Sequence, residues 1–222
     1  MKKQIYLISG KKGESYEAFT RRILEKAREV AQTLTSGSIR ITLTQGPPPA
    51  VSVIPFKKKK IAAFSIVTEE GIPLELLCKM QGYTGMYAVE EAIPVRYRKT
   101  WKNGEITPGV CLLTLFRKKA VIDQDTFLDR WHNCHTPLSL RIHPLWHYNR
   151  NVVKKTTDGQ CIPWDGIVEE HFRSRADLVN PFLFFGNPLV ILSHMLEVYR
   201  DTRSFLDYRS IEPYLVREYH IR

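Results

Sequence analysis

The chain has 222 residues, 43% of them apolar, and a formal net charge of +10. That is enough apolar material for a real core, in one large domain or two small ones, and it excludes an intrinsically disordered chain. Four cysteines (Cys78, Cys111, Cys134, Cys161) stand far apart with no CxxC pair, so they read as free thiols rather than as a disulfide framework. The start, MKKQIYLISGKKG, has too short an apolar run for a signal peptide. The longest apolar stretch, Leu178 to Leu196, is interrupted by Asn180, Pro181, Gly186, Asn187, Pro188 and His194, so no membrane span and a cytoplasmic location are expected. Most of the charge surplus lies in residues 1–110, with 18 Lys/Arg against 10 Asp/Glu. The run Lys57–Lys60 supplies half of it and reads as a solvated loop edge, with an anion or nucleic-acid site as the functional alternative.

Residues 4–9 form a β-rich run, followed by a turn and a helix capped by Ser15, with Tyr16, Phe19, Ile23, Ala27, Val30 and Leu34 at helical spacing. Strand signals follow at 38–44 and 61–67, with a possible extra short strand at Val51 to Phe56 after a Gly-Pro-Pro-Pro loop. Leu74 to Gln81 is expected as a short helix and Tyr87 to Val95 as a strand. After a polar linker at 101–109 the order begins again. It runs through a strand at 110–118, a histidine-rich helix, strands at 146–153 and 167–172, and a short helical turn capped by Ser174. A longer helix begins at Asn187 and Pro188, with Leu189, Leu192, Leu196 and Tyr199 on one face, and a last strand covers 214–221. Each half therefore reads β-α-β-β-α-β.

The stretch Asp123 to Val153 holds four of the seven histidines, His132, His135, His143 and His147. Phe127, Trp131, His135 and Leu138 share one helical face, so His135 is expected to point inward. Asp123 or Asp125 is the expected N-cap, and Pro137, which lacks an N–H, is expected to kink or end the helix. The halves also align weakly: YLISGKKGESYEAF (6–19) against LLTLFRKKAVIDQDTF (112–127), and YAVEEAI (87–93) against YLVREYHI (214–221). With Phe19 set on Phe127, Ile23 falls on Trp131 and Ala27 on His135. The first copy contains no histidine. A duplication in which one half is scaffold and the other carries the site accounts for both observations.

The pattern Phe127-x3-Trp131-x3-His135-x-Pro137-Leu138, then Tyr148 and Asn151, then Trp164-Asp165-Gly166-Ile167-Val168-Glu169, and finally Phe205-Leu206-Asp207 with Glu218, resembles the EthD domain family over residues 110–222. The first half resembles the same unit in degenerate form. The sequence departs from the family at Glu170 and His171, where apolar residues are expected. The resemblance implies an α+β fold in which two tandem ferredoxin-like units, 1–100 and 110–222, form an intrachain dimeric α+β barrel around a small-molecule cavity. It also implies cofactor-independent chemistry on an aromatic, polyketide-like or other organic compound, with lyase, isomerase and oxygenase reactions all open. A non-catalytic small-molecule or haem-binding accessory protein with the same cavity is the alternative.

His135 is the leading acid/base candidate because imidazole titrates near neutrality. Its bland reading is a core histidine bonded to a backbone carbonyl. Strand alternation puts Asp165, Ile167, Glu169 and His171 on one face, which makes Glu169 a second catalytic candidate and His171 a binding one, unless that face is merely exposed. Trp131, Tyr148 and Trp164 are the expected walls. The pairs His132/His135 and His143/His147 have workable metal-ligand spacings, but Pro144 spoils the second and no metal is expected. No cofactor is expected either: some barrels of the superfamily bind haem, but no proximal histidine stands out here. The RNP1 pattern of RNA-binding sheets is absent, so the expected partner is a small organic molecule rather than nucleic acid or membrane, with the protein a monomer or homodimer. A mass measurement in solution checks the intrachain barrel: an obligate dimer with its barrel formed between chains would contradict it.

Overall fold

The computed structural model describes residues 2–69, 74–156 and 161–222. The first half contributes β1 (Lys2–Ser9), α1 (Tyr16–Thr33), β2 (Ser38–Leu43), β3 (Ile61–Thr68), α2 (Leu74–Cys78) and β4 (Tyr83–Val95). The second contributes β5 (Val110–Phe116), α3 (Gln124–Asp129), a π-helical segment (Arg130–His135), α4 (Thr136–Ile142), β6 (His147–Thr156), β7 (Gly166–Phe172), α5 (Arg175–Val179), α6 (Pro181–Phe184), α7 (Ile191–Phe205) and β8 (Glu212–His220). All eight strands close into one antiparallel barrel in the order β1-β3-β2-β8-β5-β7-β6-β4. The first half runs β4-β1-β3-β2 and the second β8-β5-β7-β6, the same pattern, and the seams are β2–β8 and β4–β6.

The local signals behave as their chemistry requires. Ser15 sits in extended conformation and accepts the Ala18 N–H at 3.1 Å, and Asp123 accepts the Thr126 N–H at 2.7 Å. Helix α1 turns Phe19, Ile23, Ala27 and Val30 onto the outer face of the first sheet, where they meet Tyr6, Ile8, Ile41 and Phe64 in a filled core. Three expectations are corrected. Val51 to Phe56 forms no strand: it follows Pro47–Pro49 and includes Pro55, none of which can donate to a ladder. Of the kink or end expected at Pro137, the end does not occur. The helix widens into a π-helical turn in which the Thr136 N–H reaches the Trp131 carbonyl, and it runs on to Ile142. The longer late helix starts at Ile191 rather than Asn187, which leaves Leu189 in the turn before it; Leu189, Leu192, Leu196 and Tyr199 are exposed, while Ile191, Met195 and Val198 pack inward.

Two groups of side chains share the barrel interior. One part is apolar, with Ile5, Leu7, Ile61, Ala63, Tyr87, Leu113, Leu115, Trp164, Ile167 and Tyr214 in one cluster. The other part is a buried ion network. Lys3 Nζ donates to Glu91 and Asn151, each at 2.6 Å, and Arg40 reaches Glu91 at 2.9 Å, Glu218 at 3.6 Å and Glu169 at 3.8 Å. Glu218 also accepts from Tyr97 (2.7 Å) and Thr107 (2.9 Å). Burial opposes the charged form of Glu91, but Lys3 and Arg40 outweigh it and bring its pKa down to about 2. Burial, helped by Arg40, lowers Lys3 to about 8. The segment between the halves is a strap across this end: the Gly104 and Thr107 N–H groups bond the carbonyls of His220 and Glu218. A ligand cavity was expected between the halves; these side chains line that space.

Arg40→Ala would leave Glu169 and Glu218 short of a buried counter-charge. Urea unfolding is expected to show a loss of about 3–5 kcal/mol, and a variant as stable as the parent would contradict the network's role.

Candidate active site

The cavity that stands out lies on the outer face of the second sheet, beneath the π-helical segment, α4 and α7, with a volume of about 300 Å³. Its walls are mostly apolar, among them Leu112, Phe116, Trp131, Val168, Phe184 and Phe205, and its polar groups include His135, Ser139, Tyr148 and Glu170. It is the counterpart of the face that α1 fills in the first half.

Trp131 is buried against Phe116 and Phe127, with ring centroids 5.0 and 5.4 Å away. Gly166 makes room for this packing: a Cβ there would collide with the Phe116 ring and stand 2.9 Å from Trp131. Next to it in the motif, Asp165 accepts the Lys118 N–H at 2.9 Å and ties β5 to the entry of β7. These contacts fix the floor beneath the helix that carries His135.

His135 Nδ1 is 2.6 Å from Asp201 Oδ2, and its Nε2 is 3.1 Å from Ser139 Oγ. Asp201 lies on α7 one turn before Phe205, whose ring packs 5.5 Å from the imidazole. The carboxylate accepts the Nδ1–H, which leaves Nε2, beside Ser139 on the cavity wall, as the basic nitrogen. Ser139 sits one helical turn after His135, so the α4 backbone holds the serine–histidine contact and α7 supplies the acid. His143 also lines the cavity, but its Nδ1–H donates to the Phe184 carbonyl at 2.9 Å and burial lowers its pKa to about 4, so it is a neutral imidazole.

Glu170 projects into the same cavity from β7. Its cross-strand neighbours are Leu112 and Tyr148, and among the described residues its carboxyl has no hydrogen-bond or ion-pair partner. Burial alone raises its pKa to about 7. Burial likewise raises Tyr148, with a contribution from Glu170.

Of the residues singled out from sequence, His135, Trp131 and Tyr148 line one cavity. Glu169, His171 and Trp164 do not. The grouping of Glu169 with His171 by alternation is correct, but that face is the barrel interior. Glu169 lies 3.8 Å from Arg40, and His171 lies 3.2 Å from Glu218. Trp164 is part of the apolar interior. A sheet separates all three from His135, so one ligand cannot touch both sets. Asp201, Ser139 and Glu170 went unrecognised. Asp201 precedes the buried Phe205 by four residues and so shares its stripe, and Glu170 alternates with Val168 on the helix-covered face. Among the described residues no group of three or more His, Cys, Asp or Glu side chains is arranged to hold a metal ion.

The Glu170 pKa fixes the sign of a stability effect. Its folded value lies above the ordinary carboxylate range, so the charge-free form favours the fold at low pH, and that advantage is lost as pH rises toward 7. Glu170→Gln is expected to stabilise the protein by on the order of 2 kcal/mol at pH 8 and by little at pH 4. Urea titrations at the two pH values would show no such difference if Glu170 were ionised normally.

No protein-family model matches the chain, and no curated protein sequence matches it. Solved structures do. An anthrone oxidase-like protein aligns over 100% of this chain and 91% of its own, with TM-score 0.59 and 12% identity. Two proteins whose names propose a monooxygenase, from Fusobacterium nucleatum subsp. nucleatum and Lactobacillus acidophilus, give TM-scores of 0.53 and 0.51 at 7% and 9% identity. Each alignment covers all of this chain and 92% and 94% of the other. At such identities the likeness concerns the fold alone, the closed eight-stranded barrel with its helices outside.

Proposed function

We propose that this protein is a small-molecule enzyme that takes a largely apolar, aromatic organic compound into the cavity of its second half and moves a proton on it with its own side chains, without a bound cofactor. The observation that carries this reading is His135, held from behind by Asp201, on the wall of an apolar cavity that also holds the unpaired carboxyl of Glu170. His135 Nε2 is the base, Asp201 orients the ring and stabilises the imidazolium, and Glu170, neutral or charged near pH 7, is the second proton-transfer group. Trp131 and Tyr148 are walls. The reading includes an EthD-like second half and tandem ferredoxin-like units that arose by duplication, for which the repeated strand order is the support.

Proton removal is the step shared by lyase, isomerase and oxygenase chemistry, and the names of the structural neighbours favour oxidation. On an anthrone, a proton would leave the methylene between the two aryl rings for His135. The resulting carbanion, delocalised onto the ketone oxygen, would react with dioxygen. Overall one CH2 and one O2 give one C=O and one H2O.

Oxygen uptake with anthrone as the probe tests this reading. The parent protein is expected to accelerate uptake, with His135→Ala lowering kcat by about 10²–10⁴-fold. Asp201→Asn should lower kcat with the cavity intact, and Glu170→Gln should change the pH profile between pH 6 and 8. If His135→Ala folds normally and keeps full turnover, the base is misassigned. If the parent gives no uptake above the buffer rate, the oxygenase reading fails.

A further inference from the structure

Helix α6, the turn after it and the outer face of α7 leave large apolar side chains in solvent. Leu189 is 94% exposed and Leu192 78%, and Phe182, Leu183 and Leu196 are exposed beside them. The loop before β3 adds Val51, 90% exposed, and Val53. These two groups belong to one rim. Ile54 and Phe56 pack on the same cluster as Phe184, Phe185, Ile191 and Met195, and Val53, Ile54 and Pro55 line the cavity together with Phe184. An exposed apolar patch of this kind marks a surface that meets something apolar.

The same rim carries concentrated positive charge. The run Lys57–Lys60 begins two residues after Pro55, and the Lys57 N–H is fixed at 2.8 Å to the carbonyl of Pro213, another cavity residue. Lys57, Lys58 and Lys59 are exposed, and among the described residues none of their ammonium groups has a carboxylate partner. Exposed leucines and phenylalanine beside unpaired lysines are complementary to an interface that is apolar within and anionic at its surface. A second copy of this chain lacks that complement, because it would bring another net charge of +10 toward the lysines.

We infer that this rim docks on the surface of an anionic lipid bilayer and that the cavity draws its apolar substrate from the lipid. The contact is peripheral, since no helix among the described residues is long and apolar enough to cross a membrane. The inference rests on the reading of the cavity as the substrate site, and its test does not depend on turnover.

Co-sedimentation of the full chain with phosphatidylcholine vesicles, with and without phosphatidylglycerol, reads the docking directly. Binding is expected with the mixed vesicles, falling as salt is raised. It should weaken about a hundredfold when Lys57→Gln, Lys58→Gln and Lys59→Gln are combined, at about fivefold per lysine. It should also fall more than tenfold in Leu189→Ser with Leu192→Ser, where side chains already in solvent change without disturbing the core. His135→Ala should bind as the parent does, so a failure of the catalytic reading leaves this measurement untouched. Absence of vesicle binding, or binding that both sets of substitutions leave unchanged, would overturn the inference. A self-association in sedimentation that Leu189→Ser with Leu192→Ser abolishes would give the face to a second copy and overturn it as well.

Discussion

Two adjacent carboxylates on β7 point to opposite sides of a closed sheet, and the rest of the structure depends on that alternation. Glu169 faces the barrel interior, where Arg40 and Lys3 surround it; Glu170 faces the helices, where burial alone acts on it. A closed barrel has no edges and two surfaces of different character. One surface holds charges that answer one another across the two halves. The other holds the Glu170 carboxyl in an apolar cavity, where burial raises its pKa to about 7, with the imidazole of His135 on the same cavity's wall.

The interior network sets register more than it adds net stability. Removing charges from water costs roughly what their mutual attraction returns, so the apolar part of the interior supplies most of the favourable term. The charged part ties the halves together: Lys3 and Arg40 come from the first, Glu169 and Glu218 from the second. A one-residue slip of β2 against β8 would turn Arg40 outward and leave Glu218 with its proton donors but without that guanidinium. The strap over this end, through Thr107 and Tyr97, adds hydrogen bonds to the same carboxylate.

The halves share a strand order and differ in what their helices press onto the sheet. In the first, Ile23 and Ala27 pack into a filled core. At the aligned positions of the second stand Trp131 and His135, and Gly166, having no side chain, leaves the space that the Phe116 and Trp131 rings take over the strand. The π-helical turn lets the chain pass Pro137 without ending, so Ser139 follows His135 on a continuous helix. The cavity is therefore the product of a large ring held close to the sheet, a helix that continues past a proline, and α7 laid across both.

Much of this was legible in the chain. Period-two and period-3.6 patterns place all eight strands and α1, because each pattern reports only which face of its own element is apolar. The same logic aimed His135 inward and paired Glu169 with His171. Alternation cannot say which face of a strand a helix will cover, so Glu170 rather than Glu169 entered the cavity, and Trp164 went to the interior. Nor does an apolar stripe on a helix reveal what meets it: Leu192 and Leu196 share a face of α7 that stands in solvent. Asp201 is 66 residues from His135 in the chain, and only the packing of α7 against the π-helical segment brings them together. The sequence by itself determined the eight strands, their order and the inward histidine; the tertiary structure decided which surface of the sheet became the site, because burial and partnership are properties of the assembled layers and not of any one strand.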